Sequence, residues 1–142
     1  MKFSTKLSDA MHISVYIGLG EVKNLTSAQI AESVKTNPAY VRQIMSYLKK
    51  AGLILTTRGQ ANPSLTRTPA EITMLDVYRA VEGDKPLLHL DTHVNPECGV
   101  AMNVQFAIGD YYRQIQQVAE EKMKNITLQD VMESYRKRVE EL

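Results

Sequence analysis

Apolar residues dominate positions 5–20, where they recur too densely for a helix that lies on a protein surface. The pattern predicts a first helix that its neighbours bury, with Ser4 capping its N-terminus. His12 lies among these apolar positions, and we expect it in the core. The apolar residues of the segment are Leu7, Ala10, Met11, Ile13, Val15, Ile17 and Leu19.

Two shorter helices are predicted next, each with its own cap. Thr26, followed three residues later by Gln29, forms a capping box. Asn37 can cap the next helix, and Pro38 suits its first turn. The residues that recur at helical spacing are Ile30, Ala31 and Val34 in the first of these helices, and Val41, Ile44, Met45 and Leu48 in the second. A tight turn at 35–37 joins them, which predicts a helix-turn-helix supported by the first helix.

A small β-hairpin is predicted directly after the helix-turn-helix. Residues 53–57 are β-prone, residues 58–63 are turn-prone, and residues 64–66 can return as a second strand. A hairpin in this place is a wing. The predicted fold class is therefore mainly α with a small β-hairpin wing, that is, a winged helix-turn-helix.

Capping boxes predict two further helices in the second half of the chain. Thr73 with Asp76 opens a helix that ends at Gly83, and Thr127 with Asp130 opens a terminal helix. We expect the helix before Gly83 to pack on the helix-turn-helix.

A long helix is predicted between these two. Residues 84–99 contain two prolines and no clear period, which predicts a loop, and residues 100 to about 124 then form a helix about 36 Å long. Its apolar stripe consists of Val104, Ala107, Ile108, Tyr111, Ile115, Val118 and Ala119. A small domain cannot cover such a stripe, so we expect the same helix of a second copy to do so. The predicted organisation is a DNA-binding domain at 1–83, a linker or sensor loop at 84–99, and a dimerisation helix with a C-terminal helix at 100–142.

Length and composition fit one soluble domain with a dimerisation arm. The chain has 142 residues, of which 44% are hydrophobic and 23% charged. It has no apolar run of the roughly 20 residues that span a bilayer, and its first residues do not read as a signal peptide. With Cys98 as its single cysteine, we expect a cytoplasmic protein without a membrane partner.

Positive charge is concentrated in the first half of the chain. Residues 1–70 contain nine Lys and Arg against three Asp and Glu, a net charge of +6, whereas residues 71–142 have a net charge of −5. Residues 33–70 contain no acidic residue. This asymmetry indicates a polyanionic partner, which for a winged helix-turn-helix is a double-stranded DNA operator.

The exposed face of the third helix supplies the candidate DNA contacts. The predicted base-reading residues are Ala39, Tyr40, Arg42 and Gln43, and the predicted phosphate-binding residues of the same helix are Ser46, Lys49 and Lys50. At the wing, Arg58 can enter a minor groove or bind phosphate, with help from Gln60 and Asn62. Further phosphate contacts are predicted at Thr5, Lys6, Thr26 and Ser27, for which a plain capping role is the alternative.

The chain resembles the Rrf2 family of bacterial winged-helix regulators. The resemblance is carried by residues 1–6, by 39–44 with 50–54, by 58–59 and by 71–83. That family includes iron-sulfur sensors, nitric-oxide sensors, cysteine-metabolism repressors and thiol-based oxidant sensors. The resemblance implies a homodimeric, sequence-specific transcription regulator, which we expect to act as a repressor.

Two features depart from that family. The wing has no glycine-rich tip, so its groove contacts are expected to differ. Cluster-binding members have three cysteines in the loop before the long helix, whereas this loop has Cys98 alone, so we expect no iron-sulfur cluster. The resemblance to oxidant sensors makes Cys98 a candidate redox thiol, with an inert structural cysteine as the alternative.

No metal site or enzyme activity is expected. His89 and His93 would pair on a helix, but Pro86 and Pro96 argue against a helix there. The chain has no phosphate loop, zinc-protease motif or nucleophile with a base. The alternatives to a thiol-controlled regulator are a winged helix used for protein contact and a regulator that responds to a small molecule or a protein.

Overall fold

In the computed structural model, which describes residues 3–57, 59 and 61–142, the chain forms six α-helices and one short pair of antiparallel strands. In chain order the elements are α1 (Lys6–Leu19), α2 (Ser27–Val34), α3 (Pro38–Lys50), β1 (Ile54–Leu55), β2 (Ser64–Leu65), α4 (Met74–Glu82), α5 (Gly99–Lys124) and α6 (Leu128–Glu140), with a single 3-10 turn at Pro69–Glu71. The prediction of a mainly helical fold with a small hairpin wing is confirmed. None of the described helices is both long and apolar enough to cross a membrane.

The first three helices pack around one apolar core. Ile13 of α1, Ile30 of α2 and Ile44 of α3 are fully buried there. The caps are those that the sequence predicts: Thr26 and Gln29 form a capping box, and Asn37 Oδ1 accepts the Tyr40 N–H at 2.8 Å. Local side-chain chemistry thus sets where α2 and α3 begin, and the shared core sets how they pack.

Two expectations for α1 were wrong. The N-cap residue is Thr5, one position after Ser4, and Ser4 Oγ accepts the Lys6 N–H at 3.3 Å while donating to Glu82. His12 is exposed and shares a hydrogen bond with Ser33 Oγ at 2.9 Å. A buried imidazole would need partners in the core, whereas at the surface His12 keeps one partner and water.

The wing is shorter than predicted. Its strands pair Ile54 with Leu65 and Leu55 with Ser64. Ile54 is buried while Leu55 is 59% exposed, so one residue of β1 anchors the hairpin to the core. The predicted contact residues Arg58 and Gln60 lie outside the described residues.

The terminal helix α6 returns to the first domain. Met74 N–H donates to the Ile126 carbonyl at 2.7 Å, and Leu128 N–H donates to the Ile72 carbonyl at 2.9 Å. Leu128 is fully buried in the same core as α1, and Met132 lies beside Gly18 of α1. The sequence predicts this helix but not where it packs.

By contrast, α5 leaves most of its surface uncovered. Of its 26 residues, only Gly109 and Met123 are buried. The exposed large apolar residues of α5 are Val100, Val104, Phe106, Tyr111, Ile115 and Val118. The loop at 84–98 covers part of another face, where Leu90 Cδ1 would lie 3.3 Å from a Cβ on Gly109.

Candidate nucleic-acid interface

One face of α3 is exposed along its whole length. Val41, Ile44 and Leu48 are fully buried, which fixes the rotation of the helix about its axis. The predicted contact residues on the opposite side, Ala39, Arg42, Gln43, Ser46, Lys49 and Lys50, are all exposed. The sequence therefore predicted correctly which face of α3 is accessible to a partner.

A groove of about 490 Å³ runs between the N-terminus of α2, α3 and the wing. Five of the predicted contact residues line it, namely Thr26, Ser27, Arg42, Ser46 and Lys49. Thr56, Gly59 and Ala61 form the wing side. Residues that are far apart along the chain are thus brought together on one concave surface.

The N-terminus of α2 lies at this groove, with Thr26 and Ser27 in its lining. Thr26 Oγ1 accepts the Gln29 N–H at 3.1 Å, and Gln29 Oε1 accepts the Thr26 N–H at 2.9 Å. The N–H groups of Ser27 and Ala28 have no acceptor within the helix, because they belong to its first turn. The hydroxyl of Thr26 therefore acts as a cap, while the backbone of the next two residues is free to bind an anion.

The basic residues of α3 carry uncompensated charge. Arg42, Lys49 and Lys50 form no ion pair with any carboxylate in the described part of the chain. Arg67 differs, because it lies 3.7 Å from Asp76 and also donates to the Glu71 carbonyl. The positive charge on this face of α3 is thus available to a partner.

Tyr40 is tied to α1. Its hydroxyl donates to Asp9 Oδ2 at 2.8 Å, and the Thr5 hydroxyl donates to the same carboxylate oxygen at 3.2 Å. Burial, together with the hydrogen bond to Asp9, raises the pKa of Tyr40 to about 12. The Tyr40 hydroxyl therefore joins α3 to α1, and the Thr5 hydroxyl holds the Asp9 carboxylate that accepts it.

Tyr47 is a half-buried residue that the sequence reasoning missed. Gln43 Nε2 donates to its hydroxyl at 3.2 Å, and Lys6 Nζ lies 5.6 Å from the centre of its ring. These contacts connect two predicted DNA-binding residues on α1 and α3. The spacing of four between Gln43 and Tyr47 on one helix was the signal that could have revealed the pair.

A hydrogen-bonded junction connects α4 to α5. Gln116 Nε2 donates to the Tyr78 hydroxyl at 3.0 Å, and Gln116 Oε1 accepts the Leu87 N–H at 2.9 Å. Arg79 and Glu120 form an ion pair at 3.3 Å beside it. The long helix is therefore fixed to the domain that carries α3.

Cys98 is half-buried at the start of α5. As the N-cap residue, its Sγ accepts the Ala101 N–H at 3.5 Å. The thiol thus lies where the loop meets the long helix, which is the position that the sequence assigned to it.

Residues 3–134 match the Rrf2 family, which is described as an iron-dependent transcriptional regulator. The described residues do not fit iron held by a cluster of protein ligands. They contain no group of three or more His, Cys, Asp and Glu side chains placed to hold a metal ion. The sequence has one cysteine, Cys98, whereas an iron-sulfur cluster is usually held by several cysteine thiolates.

Known proteins that are similar to this chain are named as transcriptional regulators or DNA-binding proteins. A Bacillus subtilis (strain 168) protein, provisionally named HTH-type transcriptional regulator YwnA, is 36% identical over 129 residues, which make up 91% of this chain and 96% of that protein. A crystal structure provisionally described as that of a DNA-binding protein is 35% identical, with a TM-score of 0.73 over 89% of this chain and 98% of its own. CymR (YrzC), the global cysteine regulator of B. subtilis, shares the fold at 24% identity, with a TM-score of 0.67 over 94% of this chain and 97% of its own. The chain belongs to the Rrf2 family of transcriptional regulators.

Proposed function

We propose that this chain binds a specific DNA operator as a homodimer, with α3 in the major groove. The observation that carries the proposal is the groove beside α3, which Thr26 and Ser27 of α2 line together with Ser46 and Lys49 of α3. Such a surface suits a phosphate backbone, and the exposed residues Ala39, Arg42 and Gln43 of the same helix remain to contact bases.

Different residues of α3 are assigned different tasks. Arg42 can pair with guanine and Gln43 with adenine, because each presents donors or acceptors that match one base edge. Ser46, Lys49 and Lys50 hold phosphates, as do Lys6 and the backbone of Ser27. Tyr40 positions α3 through Asp9, and Arg58 remains a predicted wing contact.

Selection of operators from a random DNA pool tests this assignment. Gln43→Ala should lose about 1–3 kcal/mol on the selected site and relax the base preference at one position of each half-site. Lys50→Ala should weaken selected and random duplexes by the same factor. Lys137→Ala on α6 removes a charge outside the groove and serves as the control. If the wild-type chain prefers no selected duplex over random DNA, the proposal is wrong.

The same assay separates DNA binding from a winged helix used for protein contact. Phosphate contacts release counterions, so DNA affinity must fall steeply as salt rises. We propose repression as the consequence of binding, by occlusion of a promoter. Transcription in vitro from a template that carries the operator should fall when the chain is added, and unchanged or increased transcription would contradict this.

Dimerisation is proposed through the uncovered face of α5. Val104, Ile108, Tyr111, Ile115 and Val118 recur at spacings of four and three, which is the pattern of a helix that packs against another helix. Of these, Ile115 is 50% and Val118 72% exposed in the single chain. A second copy related by a twofold axis would cover the stripe and set the spacing between the two copies of α3.

Charge in this stripe should produce monomers. Ile115→Asp should abolish dimers and operator binding together, because one half-site loses its partner's contribution. Gln117→Asp, which adds the same charge outside the stripe, is the matched control. A wild-type chain that remains monomeric at micromolar concentration by light scattering would contradict the proposal.

A thiol switch at Cys98 is proposed as the regulatory input. The Sγ caps α5 directly after the loop, so oxidation would replace the group that accepts the Ala101 N–H. The start of the dimerisation helix would then shift, with an effect of about 1–3 kcal/mol on operator affinity. Cys98→Ser should bind the operator normally and not respond to peroxide. Matching titrations of the two proteins against peroxide would exclude the switch.

A further inference from the structure

A cavity of about 420 Å³ lies between α1, α2 and α6, away from the groove beside α3. Its volume falls within the range of small-molecule sites, about 300–1,000 Å³. Met11, Val15 and Leu19 of α1 line one side and Val131 of α6 lines another. Met11 is only 8% exposed, so the cavity reaches down to the core.

The cavity lining contains a negatively charged side chain and aromatic rings, but no lysine or arginine among its described residues. Glu21 supplies a carboxylate, and Tyr16 and Tyr135 supply two aromatic rings. None of the described lining residues is a lysine or an arginine. A negative carboxylate and the negative faces of aromatic rings both attract a cation, whereas an anion would find no Lys or Arg partner.

We propose that this cavity binds a small organic cation with an apolar body, such as a phenylalkyl ammonium. The apolar part lies against Met11 and Val15, and the cationic group lies at the rim near Glu21 and the two tyrosines. Charge complementarity therefore selects the ligand class, and the apolar wall supplies the contact area.

The cavity is connected to the proposed DNA surface through α2. His12 and Ser33, which both line the cavity, share a hydrogen bond of 2.9 Å between α1 and α2. The opposite end of α2 begins at Ser27 in the groove beside α3. A ligand that moves α2 would thus change operator affinity, a consequence that rests on the proposed function, whereas binding of the cation does not depend on it.

Three probes with one phenylpropyl group test the assignment: the trimethylammonium cation, the neutral alcohol and the carboxylate. In the full-length chain with methyl-labelled methionines, NMR titration follows Met11 in the cavity, Met45 of α3 in the groove and Met102 on α5. We expect the cation to shift the Met11 methyl resonance and to bind at least about tenfold more tightly than the carboxylate, with the alcohol between them.

Two exposed substitutions locate the charge selectivity. Glu21→Gln should weaken cation binding about fivefold and leave alcohol binding unchanged. Tyr135→Leu keeps an apolar side chain but removes the ring, and it should weaken the cation about fivefold. Glu133→Gln removes the same charge from α6 outside the cavity lining, so it should change neither affinity.

Several results would overturn the proposal. The proposal is wrong if the Met11 resonance does not respond at millimolar probe, or if the cation and the carboxylate bind with equal affinity. It is also wrong if Met45 or Met102 responds in place of Met11. A Met11 resonance that depends on protein concentration without probe would place a second copy in the cavity. A chain that binds operator DNA but shows no Met11 response refutes this site alone, and one that binds the cation but no DNA refutes the DNA-binding proposal alone.

Discussion

Replacing Lys49 by alanine should make operator binding less sensitive to salt. Lys49 lines the groove beside α3 together with Arg42, is exposed, and forms no ion pair with any described carboxylate. Because the proposed complex is symmetric, one substitution removes two cations from the DNA surface. Each lost phosphate contact should reduce counterion release and hence the slope of affinity against salt.

The size of the effect follows from the number of cations at this surface. Lys6, Lys49 and Lys50 are the positively charged residues assigned to phosphates, so a dimer carries six such cations. If each neutralises one phosphate, the logarithm of the binding constant falls with a slope of about −5 against log salt, and affinity falls about 2,000-fold from 50 to 200 mM. Lys49→Ala, with four such cations, gives a slope of about −4 and a loss of about 150-fold. The ratio of wild-type affinity to Lys49→Ala affinity should thus shrink by about tenfold between 50 and 200 mM salt.

Fluorescence anisotropy with a labelled operator, repeated at several salt concentrations, measures both slopes. Lys137→Ala, which removes a cation from α6, should follow the wild type. Parallel lines for wild type and Lys49→Ala would show that Lys49 neutralises no phosphate. A wild-type slope close to zero would refute the DNA surface as a whole.

Three further predictions concern stability and the surface of α3. Tyr40→Phe should lower the free energy of unfolding by about 1 kcal/mol through loss of the hydrogen bond to Asp9. Because folding raises the pKa of Tyr40 to about 12, this contribution is complete below about pH 10 and is lost as the pH rises towards 12. Urea unfolding curves of the two proteins should therefore converge near pH 12. Leu128→Ala should cost about 3 kcal/mol in the same assay, because it leaves a void in the core, and an unchanged midpoint would mean that α6 does not pack on α1. Tyr47→Phe keeps the ring beneath Lys6 but releases Gln43, so operator affinity should change by about two- to fivefold with an unchanged salt slope; a changed slope would contradict this role.

Capping residues show what neighbouring residues alone can specify. Thr26 with Gln29, and likewise Thr127 with Asp130, form capping boxes in the structure as predicted. Each box depends on two side chains three residues apart and on the first turn of one helix. Such contacts require no knowledge of the rest of the fold, so these helix starts were predictable.

His12 shows where this kind of reasoning fails. Its neighbours Met11 and Ile13 are buried, yet His12 itself is exposed and bonds to Ser33 of α2 at the edge of the cavity. Local hydrophobicity cannot assign a face when apolar residues recur as densely as they do in α1. The position of α2 decides which residues of α1 are covered.

By itself the sequence determined the six helices, the wing, the exposed face of α3 and the concentration of positive charge in the first half. Each of these depends on residue type and on spacing over a few turns, which local geometry translates into structure. Only the tertiary structure decided that Tyr40 bonds to Asp9, that α6 packs against α1, and that Thr26 and Lys49 line the same groove. These pairs lie far apart along the chain, and contacts between them exist only after the helices share one core, so no local pattern encodes them.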